Sequence, residues 1–96
     1  MKEKAKEIAQ LLKVLANEHR LMIVCILISH PLTVGEIAAK ISGITQSALS
    51  QHLAILKAHR IVKFHKSGQN ITYSIGDQRV EEVINVLKKY YCDSNI

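Results

Sequence analysis

Tryptophan is absent from this 96-residue chain, and aromatic residues make up only 4% of it. A core must therefore be packed from Leu, Ile, Val and Ala, which favours an all-α or mostly-α fold. The single proline, Pro31, falls in one break, and no linker, repeat or low-complexity segment divides the chain. The longest apolar run, residues 21–28, is far shorter than the roughly 20 residues of a membrane span, so no membrane segment is expected. Residues 1–13 alternate charge with apolar side chains and lack the apolar centre of a signal peptide, so a cytoplasmic protein is expected. In that reducing compartment the two cysteines, Cys25 and Cys92, stay thiols unless their pairing is itself a signal.

Catalytic signatures are also missing. There is no nucleophile beside a base, no phosphate-cradling glycine loop and no carboxylate pair, so no catalytic residue, no cofactor and no enzyme are expected. The five histidines, His19, His30, His52, His59 and His65, are scattered without metal-site spacing, and no metal site is expected. What is present is positive charge. Thirteen Lys and Arg against eight Asp and Glu leave +5, which suits a polyanion such as nucleic acid without proving one.

The length fits one domain, residues 1–96, small enough that a partner subunit would help to stabilise it. Ala5, Ile8, Leu11, Leu12 and Leu15 predict an amphipathic helix over residues 3–16. Asn17 caps a second, over 18–29, that is apolar nearly all round and so central. After a break at His30, Pro31 and Leu32, Thr33 and Glu36 form a capping box for a third helix whose buried stripe is Val34, Ile37, Ala38 and Ile41. Ser42 and Gly43 stop it, and Thr45 caps a fourth, with Ile44 and Leu49 placed as a hydrophobic staple. Two helices joined by so short a glycine turn make a helix-turn-helix.

From residue 61 the period changes to two. Val62 and Phe64 alternate with Lys63 and His65, then Ile71, Tyr73 and Ile75 with Thr72 and Ser74, predicting a two-stranded hairpin that turns at residues 67–70. Asp77 caps a last helix striped by Val80, Val83, Ile84, Leu87 and Tyr91. The fold class expected is mostly α with a small β-hairpin.

Leu49, Leu53 and Leu56 turn inward on the fourth helix, which leaves Ser47, Gln51, Ala54 and Ala58 opposite them and Ser50 alongside. So slim and polar a ridge suits a DNA major groove about 12 Å wide, where Gln pairs bidentately with adenine. Gln46, Ser47, Ser50 and Gln51 are the candidate base readers, and His52, on the flank, is either a phosphate contact or a helix-packing residue. Lys57, Arg60, Lys63, His65 and Lys66 are candidate phosphate contacts, while Gln69 and Asn70 at the hairpin tip are placed to probe the minor groove. The plain alternative is an ordinary solvated helix face. Other rivals are a protein-interaction module and a small thiol peroxidase using Cys92.

The run Leu15-Ala16-Asn17-Glu18-His19-Arg20-Leu21, followed by Leu32-Thr33-Val34-Gly35-Glu36-Ile37-Ala38 and Gln46-Ser47-Ala48-Leu49-Ser50-Gln51-His52-Leu53, resembles the ArsR/SmtB family of winged helix-turn-helix repressors. The resemblance covers nearly the whole chain. It implies a homodimer built mainly on the first and last helices and bound to an imperfect palindromic operator in double-stranded DNA. Metal-sensing members carry a Cys-x-Cys where this chain has Val34, Gly35 and Glu36. Their zinc ligands in the last helix are matched by Asp77, Arg79, Tyr90 and Asp93, with Arg and Tyr in place of both imidazoles. A metal-responsive repressor with an atypical site is thus the alternative, not the main expectation. Cys25 and Cys92 match the two cysteines of the thiol-sensing HlyU/BigR/SqrR branch. The resemblance implies that they lie near each other and answer an oxidant or reactive sulfur species by bridging. The plain alternative is a core cysteine and an incidental terminal one.

Overall fold

Local caps fix where four of the helices begin. In the computed structural model, which describes residues 1–92, α1 (Lys2–Leu15) comes first and has no side-chain cap. Asn17 Oδ1 accepts from the Arg20 amide at the start of α2 (Glu18–Ser29). Thr33 and Glu36 exchange bonds at the start of α3 (Val34–Lys40), closing the expected capping box. Thr45 Oγ1 accepts from the Ala48 amide ahead of α4 (Gln46–Ala58), and Asp77 Oδ1 from the Arg79 amide ahead of α5 (Gln78–Tyr91). Each cap satisfies amides that the helix itself leaves unpaired. Between α3 and α4 the chain turns through Gly43 at φ 76°, a left-handed conformation that costs glycine nothing.

The hairpin is β2 (Val62–Ser67) and β3 (Asn70–Ile75), paired antiparallel from Val62 with Ile75 to Ser67 with Asn70. Gly68, at φ 63°, opens the two-residue loop and gives the type II′ geometry that matches strand twist. A third strand was not expected. Leu32, read from sequence as part of a break, and Thr33, read as a helix cap, form β1 and pair with Tyr73 and Thr72 in the sheet order β1-β3-β2. Two residues are too few to show a period, and their partners lie about forty positions downstream.

The core gathers around α2, whose Ile23, Val24 and Leu27 are buried with Leu49, Leu53 and Leu56 of α4, Ile37 of α3, and Val80 and Ile84 of α5. The stripes expected on the outer helices are only half covered within one chain. Leu15, Val80 and Ile84 are buried, whereas Ile8, Leu12, Val83 and Leu87 remain 49%, 53%, 49% and 45% exposed. On α3, Ile37 and Ile41 are buried, Val34 is half-buried and Ala38 faces outward. No helix among the described residues is long and apolar enough to cross a membrane.

Candidate nucleic-acid interface and thiol cleft

Burial of Leu49, Leu53 and Leu56 sets which face of α4 turns inward. With three positions held inward, Gln46, Ser47, Ser50, Gln51, Ala54 and Ala58 are all exposed, so the ridge read from the sequence stands on the outer face. No acidic residue occupies the first turn of α4. Its N-terminal dipole is therefore left uncompensated, which favours anionic groups nearby.

The end of α4 and the hairpin add exposed cationic and polar side chains. Lys57, Arg60, Lys63, His65, Lys66, Gln69 and Asn70 are all exposed, and no ion pair to any of them occurs among the described residues. Alternation along β2 puts Lys63 and His65 on one face and Phe64 and Lys66 on the other. Phe64 is 42% exposed rather than buried; it stacks on Tyr73 with ring centroids 5.9 Å apart, and the Lys57 ammonium sits 4.0 Å over its ring. The hairpin is thus joined to the end of α4 by an aromatic and a cation.

Arg60 makes the turn between them. It holds φ 61°, its amide donates to the Lys57 carbonyl at 2.9 Å, and the Ile61 amide donates to the Leu56 carbonyl at 3.0 Å. Those two bonds form a Schellman stop, normally closed by glycine. The buried pair Leu56 and Ile61 supplies its hydrophobic contact.

His52 is half-buried on the flank of α4. Its Nδ1 lies 3.3 Å from Arg20 Nη1, and its ring is 5.7 Å from that of His19. Burial, then the Arg20 and His19 charges, hold its pKa below the ordinary value, so the ring is neutral near pH 7. The structure therefore gives His52 a helix-packing contact. Arg20 was not among the candidates, because His52 stands 32 positions away in sequence and no local pattern announces the contact.

The two cysteines line one cleft of about 300 Å³. Leu21, Met22 and Cys25 of α2 face Ile84, Leu87 and Tyr91 of α5, with Lys88 and Cys92. Both thiols are free and half-buried, and Cys92 ends α5 with its amide donating to the Lys88 carbonyl. Burial pushes the Cys25 thiol up; the Lys88 ammonium opposes this and Cys92 adds to it. Of the positions matching the family's zinc ligands, Asp77 accepts from Arg79 Nε and Nη2 at 3.1 and 2.9 Å, which lowers its pKa. Tyr90 is exposed, and Asp93 lies outside the described residues.

Comparison with known proteins decides the family. Residues 17–63 match the model described as bacterial regulatory protein, arsR family. Over 95 residues the chain is 38% identical to the transcriptional activator HlyU of Vibrio cholerae, covering 99% of this chain and 87% of that one. The chain belongs to the ArsR family. As a member of that family it is a DNA-binding transcriptional regulator and not an enzyme. The solved structure of HlyU from Vibrio cholerae N16961 superposes with a TM-score of 0.91, covering 97% of this chain and 100% of that one at 38% identity. The biofilm growth-associated repressor of Xylella fastidiosa is 36% identical over 92 residues, which are 96% of this chain and 80% of that protein. A Mycobacterium bovis domain described as a homodimeric winged helix-turn-helix DNA-binding domain superposes with a TM-score of 0.80 at 25% identity, covering 92% of this chain and 81% of that one. The five helices and the three-stranded sheet are therefore the winged helix fold of ArsR-family regulators, with β2 and β3 as the wing.

Proposed function

We propose that the chain is a homodimeric repressor that sets the outer ridge of α4 into the major groove of an imperfect palindrome and lets go when its two thiols are bridged. Gln46, Ser47, Ser50 and Gln51 read base edges. Lys57, Lys63 and Lys66 contact phosphates, and Gln69 and Asn70 reach the minor groove from the wing tip. Support comes from the slim exposed ridge and the cationic surface beside it. The half-covered stripes of α1 and α5 supply the dimer face, since burying an exposed Leu, Ile or Val stabilises by about 1.5–3 kcal/mol. Half-sites read by such a dimer lie about one helical turn, roughly 34 Å, apart.

The observation that carries the sensing half is the shared cleft of Cys25 and Cys92. Bridging them removes one electron and one proton from each thiol and passes them to an oxidant or to reactive sulfur. Burial holds the Cys25 pKa above the ordinary thiol value, so this thiol is a poor first nucleophile and suits the step that closes the bridge. The bridge draws the end of α5 toward α2 and changes the spacing of the two ridges. A coupling of about 1–3 kcal/mol lowers operator affinity about 5- to 150-fold.

A gel shift on the DNA upstream of the protein's own gene tests this with reduced, polysulfide-treated and zinc-loaded protein. Only the polysulfide form should release, and Cys25→Ser or Cys92→Ser should abolish release. Release by zinc alone would point instead to a metal-responsive repressor with an atypical site.

A further inference from the structure

Arg20 touches two helices besides its own. Its Nε donates to the Val14 carbonyl in the last turn of α1 at 2.6 Å, and its Nη1 reaches Nδ1 of His52 on α4 at 3.3 Å. The first contact places a cation at the negative end of α1, against a carbonyl that the helix leaves unpaired. In the second the direction of the bond is fixed. A guanidinium has only donors, so Nδ1 accepts and the neutral imidazole carries its proton on Nε2. A protonated ring would turn Nδ1 into a donor and set two cations together.

His52 sits next to Gln51 in sequence, on the flank between the buried Leu49, Leu53 and Leu56 and the exposed ridge. The leucines hold α4 down, but apolar packing is not directional and leaves small rotations about the helix axis inexpensive. A planar donor fork on the flank removes that freedom, because an arginine bond loses strength quickly with angle.

We infer that Arg20 is a positioning residue for DNA reading: by joining the end of α1 to His52 it sets the rotation of the α4 ridge relative to the helix that carries part of the dimer face. This rests on the proposed reading that the α4 ridge enters the groove. Arg20 touches no DNA in this role, and the ridge it aligns is the one that discriminates sequences.

The test measures binding to a duplex from upstream of the protein's own gene and to a scrambled duplex of equal composition, for Arg20→Gln, His52→Ala, His52→Gln and Gln51→Ala. Arg20→Gln and His52→Ala should each weaken the upstream duplex about tenfold while leaving the scrambled duplex within about twofold. His52→Gln, whose amide oxygen can still accept from Arg20, should recover part of the loss. In an NMR titration the His52 pKa should rise in Arg20→Gln, since the charge that depresses it is gone. Circular dichroism establishes that each variant is folded. If Arg20→Gln is not, His52→Ala, which keeps the α1 contact, decides alone.

Parent-like discrimination in a folded Arg20→Gln or His52→Ala overturns the inference. So does an equal loss on both duplexes, which would make Arg20 a simple phosphate contact. Gln51→Ala separates the two levels: if it too leaves discrimination intact, the reading of α4 has failed, and if it alone destroys discrimination, only the positioning role has.

Discussion

The Lys57 ammonium lies 4.0 Å over the ring of Phe64, so the last turn of α4 is joined directly to the wing. Phe64 in turn stacks on Tyr73, the β3 residue that also pairs with β1. At an exposed site such a cation–π contact contributes about 0.5–1 kcal/mol. A double-mutant cycle in urea with Lys57→Ala and Phe64→Ala should return a coupling of that size. Amide exchange should show the β2–β3 tip less protected in Phe64→Ala, and unchanged protection would mean that the wing is held without this contact.

Arg60 pairs a structural cost with an exposed cation beside the proposed DNA-binding face. A side chain in the left-handed region costs roughly 1–2 kcal/mol, of which the extra unfolded-chain freedom of glycine cancels a part. Arg60→Gly should therefore stabilise the fold by up to about 1 kcal/mol in urea unfolding while weakening DNA binding through the lost cation. Destabilisation on this substitution would show that the Arg60 side chain makes contacts that support the turn.

Acid should loosen the flank of α4. Burial, Arg20 and His19 hold the His52 pKa below its ordinary value of 6.5. The unfolded chain takes up the proton first, so the stability from this site is complete above 6.5 and is lost as pH falls through that value toward the lowered folded one. Between about pH 7 and pH 5 the urea midpoint should fall further in the parent than in His52→Gln. Matching profiles would remove His52 as the titrating group.

Leu12 on α1 and Val83 on α5 line the same recess and are both about half exposed, with Ile8 beside them. Leu12→Glu puts a charge where the proposed dimer buries an aliphatic side chain, so self-association measured by sedimentation should weaken at least about tenfold. Operator binding should fall with it. A fully dimeric Leu12→Glu would move the dimer face elsewhere.

The helix starts were legible because each is written within three residues: Asn17 with Arg20, Thr33 with Glu36, Thr45 with Ala48, Asp77 with Arg79. The outer ridge of α4 was legible for a similar reason, since three leucines at helical spacing fix what faces away from them. Long-range partners were not. The β1 strand has too few residues to carry a period, and the contact between Arg20 and His52 spans 32 positions. The stop at Arg60 was hidden because the residue that usually announces a left-handed turn is glycine. The apolar stripes of α1 and α5 were read correctly as stripes, yet nothing in their spacing tells how much one chain covers and how much is left exposed.

Salt titration of DNA binding by the parent, Gln51→Ala and Lys66→Ala, on the upstream and scrambled duplexes, tests most directly that α4 reads bases while the wing holds phosphates. Gln51→Ala should lose about 1–3 kcal/mol, roughly 5- to 150-fold, on the upstream duplex only, with the salt slope unchanged. Lys66→Ala should weaken both duplexes alike and reduce the slope by about one per subunit. An equal loss on both duplexes for Gln51→Ala, or a parental slope for Lys66→Ala, would contradict the assignment of these two surfaces.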